Sequence, residues 1–199
     1  MSTAKRLFDL VSATVGLIAL SPVFLIGALC IKLDDGGPVF FRQERIGRGG
    51  VPFRIWKFRS MRTDTGNGGP QVTTRGDPRI TRIGQYFRAS KLDELPQLLN
   101  VIRGEMSLVG PRPEVARYVA LYTSEQRRVL DLTPGITDPA SVQFFDEEKI
   151  LARYADPEQA YVAELMGEKI RINLEYARTA DVWTDIDVIA RTLGAIADR

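Results

Sequence analysis

The sequence contains no histidine and a single cysteine, Cys30. Without histidine, the chain lacks both the commonest metal ligand and the usual general base near neutral pH. One cysteine permits neither an internal disulfide nor a zinc cluster built from thiolates. Acid–base chemistry must therefore fall to carboxylates, lysine or tyrosine, and any metal must be a hard ion bound through oxygen.

The net charge of +2 over 199 residues is unevenly distributed. Residues 42–91 contain twelve Lys and Arg against three Asp and Glu, whereas residues 121–199 contain nine against fifteen. A basic segment of this kind favours a phosphate-bearing partner, whether a nucleotide, a lipid headgroup or a nucleic acid. Because no recognisable nucleic-acid-binding module accompanies it, we expect no nucleic-acid partner.

An apolar run extends from Leu7 to Ile31 and contains one charged residue, Asp9. Such a run is typical of a signal peptide, a transmembrane helix or a re-entrant anchor. A cleaved signal peptide is disfavoured because no small-x-small cleavage site follows. Ser21-Pro22 lies near the middle of the run, where proline must kink or end a helix. The lengths of the two halves leave a spanning segment and a re-entrant segment about equally compatible with the sequence.

The segment after the apolar run predicts a β-hairpin. Residues 39–47 and 51–61 read as two short strands joined by a glycine turn. Alternation of apolar and basic residues leaves Arg54, Lys57 and Arg59 as candidate cations on an exposed face.

Asp93 and Glu94 form an acidic pair inside an apolar run preceded by many arginines. On its own, such a pair usually faces water. If the chain partly buries it, cations, a metal or a shared proton must offset the repulsion. Ser90 predicts the start of a helix whose apolar side runs from Leu92 to Ile102, which places the acidic pair in its first turn.

Arg112 stands between Pro111 and Pro113. The two prolines restrict the backbone on both sides, so placing the guanidinium group costs less entropy. Arg112 is therefore a candidate anion-binding residue.

The C-terminal part predicts helices. In the run from 161 to 177, Met166, Ile170 and Leu174 share one face, which we expect to pack in the core. A last helix from 183 to 197 has a predicted buried stripe of Ile186, Ile189, Leu193 and Ile196. The fold class predicted is α/β and helix-dominated, with an anchor at 1–35 and one globular domain at 36–199.

Five motifs together resemble the small monotopic phosphoglycosyl transferases of bacteria. They are Ser21-Pro22, Lys57-Phe58-Arg59-Ser60-Met61, Leu92-Asp93-Glu94-Leu95-Pro96-Gln97, Gly110-Pro111-Arg112-Pro113 and Pro134-Gly135-Ile136-Thr137. The resemblance implies transfer of a phosphosugar from a UDP-sugar to undecaprenyl phosphate, with release of UMP. It also implies a re-entrant anchor, broken at Ser21-Pro22, in the cytoplasmic face of the bacterial plasma membrane.

The resemblance further implies roles for particular residues. Asp93 is the expected nucleophile and ligand of Mg²⁺, and Glu94 is its companion in catalysis. The expected phosphate-binding cations are Lys57, Arg59, Arg88 and Arg112. Membrane lipids are expected partners, and a homodimer is left open. The alternative is a non-catalytic peripheral membrane module that binds anionic lipid or a partner protein, in which the acidic pair is only structural.

One segment departs from the family pattern. Many members have a sequence similar to Thr-Gly-Leu-x-Gln-Val-x-Gly-Arg, where this chain has Thr137-Asp138-Pro139-Ala140-Ser141-Val142-Gln143-Phe144-Phe145. Phe145 takes the position of the arginine. For this reason the sequence predicts no particular donor sugar.

Overall fold

The computed structural model describes residues 2–62 and 77–198, and helices dominate this part of the chain. The α-helices are α1 (Thr3–Ala19), α2 (Ser21–Asp35), α3 (Arg82–Ala89), α4 (Leu98–Arg103), α5 (Ala116–Val119), α6 (Pro139–Gln143), α7 (Glu147–Leu151), α8 (Pro157–Ala160), α9 (Met166–Tyr176) and α10 (Val182–Ala197). The strands are β1 (Phe40–Ile46), β2 (Pro52–Phe58), β3 (Ser107–Val109) and β4 (Gly135–Thr137). Tighter or wider helical turns are the 3₁₀ segments Arg48–Gly50, Leu92–Gln97 and Gln126–Asp131 and the π segment Tyr161–Leu165.

The predicted break at Ser21-Pro22 is confirmed, because α1 and α2 meet there at a bend of 59°. Pro22 lies in the first turn of α2, where its missing N–H costs no helical hydrogen bond. The Ser21 hydroxyl donates to the carbonyl of Ile18 at 2.8 Å. In the described part of the chain no single helix has the length and hydropathy to cross a membrane, whereas this bent pair meets those two criteria when taken together.

The helix pair leaves much of its apolar surface uncovered. The exposed apolar side chains are Leu7, Leu10, Val11, Val15, Ile18, Leu25, Ile26, Leu29 and Leu33. The opposite face of α1 packs on the body, where Ala13 is fully buried in a cluster with Leu98 and Val101. Arg6 donates to the carbonyls of Val101 and Ile102 at 2.6 and 2.9 Å, which ties the first turn of α1 to α4.

The predicted hairpin is also confirmed. β1 and β2 pair antiparallel, with Phe40 opposite Phe58. The side-chain amide of Asn100 on α4 donates to the carbonyl of Arg54, and its oxygen accepts from the N–H of Trp56, both at 2.9 Å. Asn100 therefore forms hydrogen bonds with two backbone groups of β2. These bonds hold the hairpin against α4, which directly follows the segment that contains the acidic pair.

Two glycines permit the close approach of β3 and β4, which pair in parallel. A Cβ added at Gly135 would lie 2.1 Å from the backbone nitrogen of Gly110. Gly110 donates its N–H to the carbonyl of Thr137, and Gly135 donates to the carbonyl of Pro111, both at 3.0 Å. These contacts fix the backbone immediately before Arg112.

The C-terminal helices agree with the sequence only in part. Met166 and Ile170 are buried and Leu174 packs against the same cluster, as predicted. On α10, however, the predicted buried stripe is wrong, since Ile186 and Leu193 are 40% and 61% exposed. The helix contacts the body through a different face, where Asp185 and Val188 are buried.

Candidate active site

The acidic pair lies in a tight turn rather than in a continuous α-helix. Ser90 caps the end of α3, Lys91 adopts a left-handed conformation with φ 56°, and the 3₁₀ segment Leu92–Gln97 follows. The predicted helix start at Ser90 is therefore wrong. Asp93 and Glu94 still lie in the first turn of a helix, but they are only 4% and 9% exposed.

Glu94 is held by two cations. Its carboxylate accepts from both terminal nitrogens of Arg112, at 2.5 and 3.1 Å, and from Lys57 Nζ at 2.9 Å. Burial disfavours the charged form, yet Arg112 and Lys57 hold the pKa of Glu94 well below its usual range. Glu94 is therefore an ionised carboxylate whose oxygens are engaged by Arg112 and Lys57.

Asp93 has a different environment from its neighbour. Burial, assisted by the charge of Glu94, raises its pKa, and Lys57 opposes this effect. Its Oδ1 is buried without a hydrogen-bond partner. Such an oxygen is costly for a folded chain to keep, so it indicates a site where a ligand, a metal or a reacting group supplies the missing interaction.

Arg88 and Arg112 approach the pair from different elements. Arg112 follows the glycine-fixed backbone of β3, and the ion pair with Glu94 raises its pKa. Arg88 lies in the last turn of α3 and pairs with Glu148 of α7. The charge of Arg88 also acts on Asp93. The structure thus brings Lys57, Arg88 and Arg112 together around the acidic pair.

Arg59 is buried, which corrects the prediction of an exposed cation from strand alternation, whereas its expected role in binding phosphate stays a prediction. Its guanidinium group is 4% exposed, pairs with Asp35 at the end of α2 and donates to the carbonyl of Pro38 at 2.7 Å. Arg59 follows the last residue of β2, so the strand alternation that predicted an exposed cation no longer applies there. These contacts connect the hairpin to the helix pair.

A groove of about 1390 Å³ begins at the cation cluster. Its charged end is lined by Arg88, Lys91, Glu94, Arg112, Glu147, Glu148 and Lys169. Its apolar walls come from α1 and α10, through Phe8, Gly16, Leu20, Ile186, Ile189, Leu193 and Ile196. The stripe of α10 that was predicted to be core therefore lines an open cleft. The groove therefore combines charged side chains at one end with apolar walls beyond them.

A family model described as bacterial sugar transferase matches residues 1–199. The chain belongs to the bacterial sugar transferase family. UDP-glucose:undecaprenyl-phosphate glucose-1-phosphate transferase of Caulobacter vibrioides is 39% identical over 96% of this chain and 69% of that protein. The Escherichia coli K12 protein of the same name is 36% identical over 95% of this chain.

A relative from Aeromonas hydrophila carries a different sugar in its name. UDP-N-acetylgalactosamine-undecaprenyl-phosphate N-acetylgalactosaminephosphotransferase is 35% identical over 96% of this chain. The chain spans 39% of the E. coli protein and 43% of the Aeromonas protein. Relatives named for glucose and for N-acetylgalactosamine are thus similar to this sugar transferase to nearly the same degree, and similarity alone does not select a sugar.

The resemblance predicts a Mg²⁺ ion. The side chains present could bind this ion only together with phosphate oxygens of a substrate. Across residues 2–62 and 77–198, no group of three or more acidic, histidine or cysteine side chains is arranged to hold a metal. Glu94 is engaged by Arg112 and Lys57, but Asp93 Oδ1 is an unpaired hard ligand. Mg²⁺ in nucleotide enzymes is commonly held by one or two carboxylates together with substrate phosphates and water. The residues present fit that pattern.

The sequence did not predict three residues at the charged end of the groove, which are Glu147, Glu148 and Lys169. Glu147 pairs with Lys169 at 2.6 Å, and Glu148 pairs with Arg88. The signal available in the sequence was Lys169 itself, a basic residue between Met166 and Ile170 on a helix face that we expected to be buried. In the altered segment, the ring centroid of Phe145 lies 5.6 Å from Lys91 Nζ, which is a cation–π contact.

Proposed function

We propose that this sugar transferase moves a phosphosugar from a UDP-sugar to undecaprenyl phosphate and releases UMP. The observation that supports this most directly is the groove, with Arg88, Arg112 and Glu94 of the buried carboxylate pair at one end and apolar walls from α1 and α10 beyond. A phosphate attached to a long hydrocarbon complements both parts. The names of the relatives point to the same pair of substrates.

The proposed reaction proceeds in two displacements at one phosphorus atom. A carboxylate oxygen of Asp93 attacks the phosphorus next to the sugar, and the bond from that phosphorus to the bridging oxygen breaks, so that UMP leaves with the electron pair. An oxygen of the lipid phosphate then attacks the same phosphorus. The bond to Asp93 breaks, which restores the carboxylate and yields a polyprenyl diphosphate sugar.

The main obstacle to this chemistry is the repulsion between a carboxylate and a diphosphate, and the cations reduce this repulsion. Arg88 and Arg112 lie where they can neutralise phosphate oxygens as charge moves toward the leaving group. Glu94 keeps Lys57 and Arg112 in position, because it is the acceptor that both share. Asp93 would hold Mg²⁺, whose chemistry here is to reduce the negative charge on the diphosphate.

We propose that the helix pair dips into one leaflet at the cytoplasmic face of the bacterial plasma membrane. The 59° bend and the uncovered leucines, valines and isoleucines of α1 and α2 support this arrangement. Charged residues at both ends of the pair would then remain on one side. At the N-terminal end, Lys5 pairs with Asp185 and Arg6 binds α4, so these cations dock the pair on the body.

A second candidate is a membrane-binding module without catalysis. The low exposure of Asp93 favours it, since a carboxylate that is 4% exposed is also what a structural role would require. The two candidates differ in chemistry, because only the first consumes a UDP-sugar.

The test is a panel of UDP-sugars, including UDP-glucose and UDP-N-acetylgalactosamine, incubated with the membrane-extracted protein, Mg²⁺ and undecaprenyl phosphate. We expect UMP release with at least one donor, and none from Asp93→Asn. No release across the whole panel, with lipid binding retained, would favour the non-catalytic module.

A further inference from the structure

Lys169 is a buried cation for which the proposed reaction has no role so far. Its side chain is 9% exposed and lies on the face of α9 that also buries Met166 and Ile170. Among the described residues its one hydrogen-bond acceptor is Glu147 Oε2, at 2.6 Å. An ammonium group has three donors, so Lys169 can bind further oxygens.

The acids of α7 are more accessible than the cations they bind. The side chains of Glu147 and Glu148 are 30% and 41% exposed, whereas Lys169 and Arg88 are 9% and 22% exposed. α7 therefore places two solvent-accessible carboxylates on two recessed cations at the charged end of the groove. The charge of Glu147 also reaches Arg112, although less strongly than that of Glu94.

We propose that Lys169 forms an additional subsite for a phosphate oxyanion, which Glu147 occupies until a substrate displaces it. The proposal rests on the proposed function, because the oxyanion belongs either to the diphosphate of the donor or to the phosphate of the lipid acceptor. A phosphate group carries more charge than a carboxylate and offers more acceptor oxygens to Lys169 and Arg112. Release of Glu147 would place its carboxylate in water, where an exposed side chain is readily solvated.

A phosphate subsite predicts different effects on substrate binding for substitutions of Lys169 and Glu147. A purely structural ion pair predicts the same effect for both. If the pair only stabilises the fold, removing either charge breaks the same contact and harms substrate binding alike. If Glu147 occupies a phosphate subsite, Lys169→Met removes the subsite, whereas Glu147→Gln vacates it. The exposed pair of Arg171 and Glu168 on the same helix provides matched controls.

The experiment measures binding of UDP with Mg²⁺, and separately of a short-chain polyprenyl phosphate, to the full detergent-solubilised protein by calorimetry. We expect Lys169→Met to weaken one of the two probes about tenfold, the scale of a charge-assisted hydrogen bond. The probe that weakens identifies the source of the phosphate. Glu147→Gln should bind that probe more tightly than the wild type, and Arg171→Met and Glu168→Gln should match the wild type.

Equally weakened probe binding by Lys169→Met and Glu147→Gln would overturn the proposed subsite. Unchanged binding of both probes to Lys169→Met would also overturn it, as would a wild type that binds neither probe. If Lys169→Met does not fold, Glu147→Gln decides, because tighter binding of one probe supports the proposal and unchanged or weaker binding of both contradicts it. Failure of the proposed function would appear differently, as absence of UMP release by a wild-type protein whose probe binding still varies among these variants.

Discussion

At the scale of single residues, Asp93 and Glu94 are adjacent in the chain, but their surroundings shift their pKa values in opposite directions. Glu94 is stabilised in its charged form by Arg112 and Lys57, and its pKa is lowered. Asp93 keeps an unpaired oxygen, and burial raises its pKa. A paired carboxylate beside a poorly satisfied one is the arrangement expected when one acid organises the site and the other reacts.

The raised pKa predicts that Asp93→Asn stabilises the protein near neutral pH. An acid whose pKa is raised by folding favours the folded state below its unfolded pKa, and this contribution is lost as the pH rises through the folded pKa. Thermal melting should therefore give a higher Tm for Asp93→Asn than for the wild type at about pH 7.5, with the gain shrinking toward about pH 4. A lower Tm at neutral pH would show that Asp93 is satisfied in its charged form.

Glu94→Gln should show the reverse. The lowered pKa gives a contribution to stability that is present above the unfolded pKa and is lost as the pH falls through the folded pKa. Removing this charge leaves Lys57 and Arg112 without their shared partner, at a cost of about 3 kcal/mol or more near neutral pH. Chemical denaturation measures the loss, and Glu168→Gln, at an exposed ion pair, is the control. Equal stability of Glu94→Gln and the wild type would contradict the assignment.

The sequence indicated most residues of this site but not their contacts. Lys57 and Arg112 could be predicted because each belongs to a motif that resembles the family, and Arg88 because the resemblance implies a phosphate-binding role for it. Arg59 also belongs to such a motif, yet its ion pair with Asp35 depends on where α2 ends relative to β2. Long-range pairings of this kind leave no periodic pattern in the sequence, and the contacts of Lys169 with Glu147 and of Arg88 with Glu148 were missed for the same reason.

At the scale of elements, the parallel pair β3–β4 positions Arg112 through backbone contact at its glycines. Gly135→Ala would force a Cβ to within 2.1 Å of Gly110, so we expect a loss of about 1–3 kcal/mol or more together with loss of activity. Gly194→Ala on α10 is the matched control, because nothing lies within 4 Å of its added Cβ. That change should instead stabilise the helix by about 0.5–1 kcal/mol. Similar unfolding free energies for the two variants would refute this role for Gly135.

The wall of the groove on α10 gives a second prediction at this scale. Leu193→Glu puts a charge among apolar side chains, so the KM for undecaprenyl phosphate should rise by at least about tenfold. Exchange of labelled UMP into the UDP-sugar, which needs only the first displacement, should be unchanged. Ala190→Glu, on an exposed position of the same helix outside the groove lining, should leave both rates unaltered. An equal effect of the two substitutions would exclude α10 as the acceptor wall.

The elements that could be predicted are those determined by residues close together in the sequence. The hairpin and the break at Pro22 follow from alternation, glycine and proline, and all were predicted. The 3₁₀ turn at Leu92 was not predicted, because the three-residue spacing of Leu92, Leu95 and Leu98 fits both kinds of helix. The left-handed backbone of Lys91 leaves no periodic signal in the sequence. The apolar stripe of α10 was detected correctly, but periodicity cannot distinguish a face buried in protein from one that lines a groove.

At the scale of the whole molecule, the uncovered surface of α1 and α2 predicts membrane association that is not mainly electrostatic. The protein should float with neutral phosphatidylcholine vesicles even at about 1 M NaCl, where charges are screened beyond about 3 Å. The double change Leu25→Glu and Ile26→Glu should abolish this binding. Val51→Glu with Leu121→Glu alters two exposed apolar residues elsewhere and should not. Release of the wild type by salt alone would argue against the anchor.

The central claim is that Asp93 forms a covalent bond to the transferred phosphosugar. The most direct measurement is the intact mass, followed by peptide mapping, of protein incubated with a UDP-sugar that releases UMP, in the absence of undecaprenyl phosphate. The account predicts an added phosphosugar on the peptide containing Asp93, its absence in Asp93→Asn, and its loss when the lipid phosphate is supplied. An adduct on another residue, or UMP release without any adduct, would contradict it.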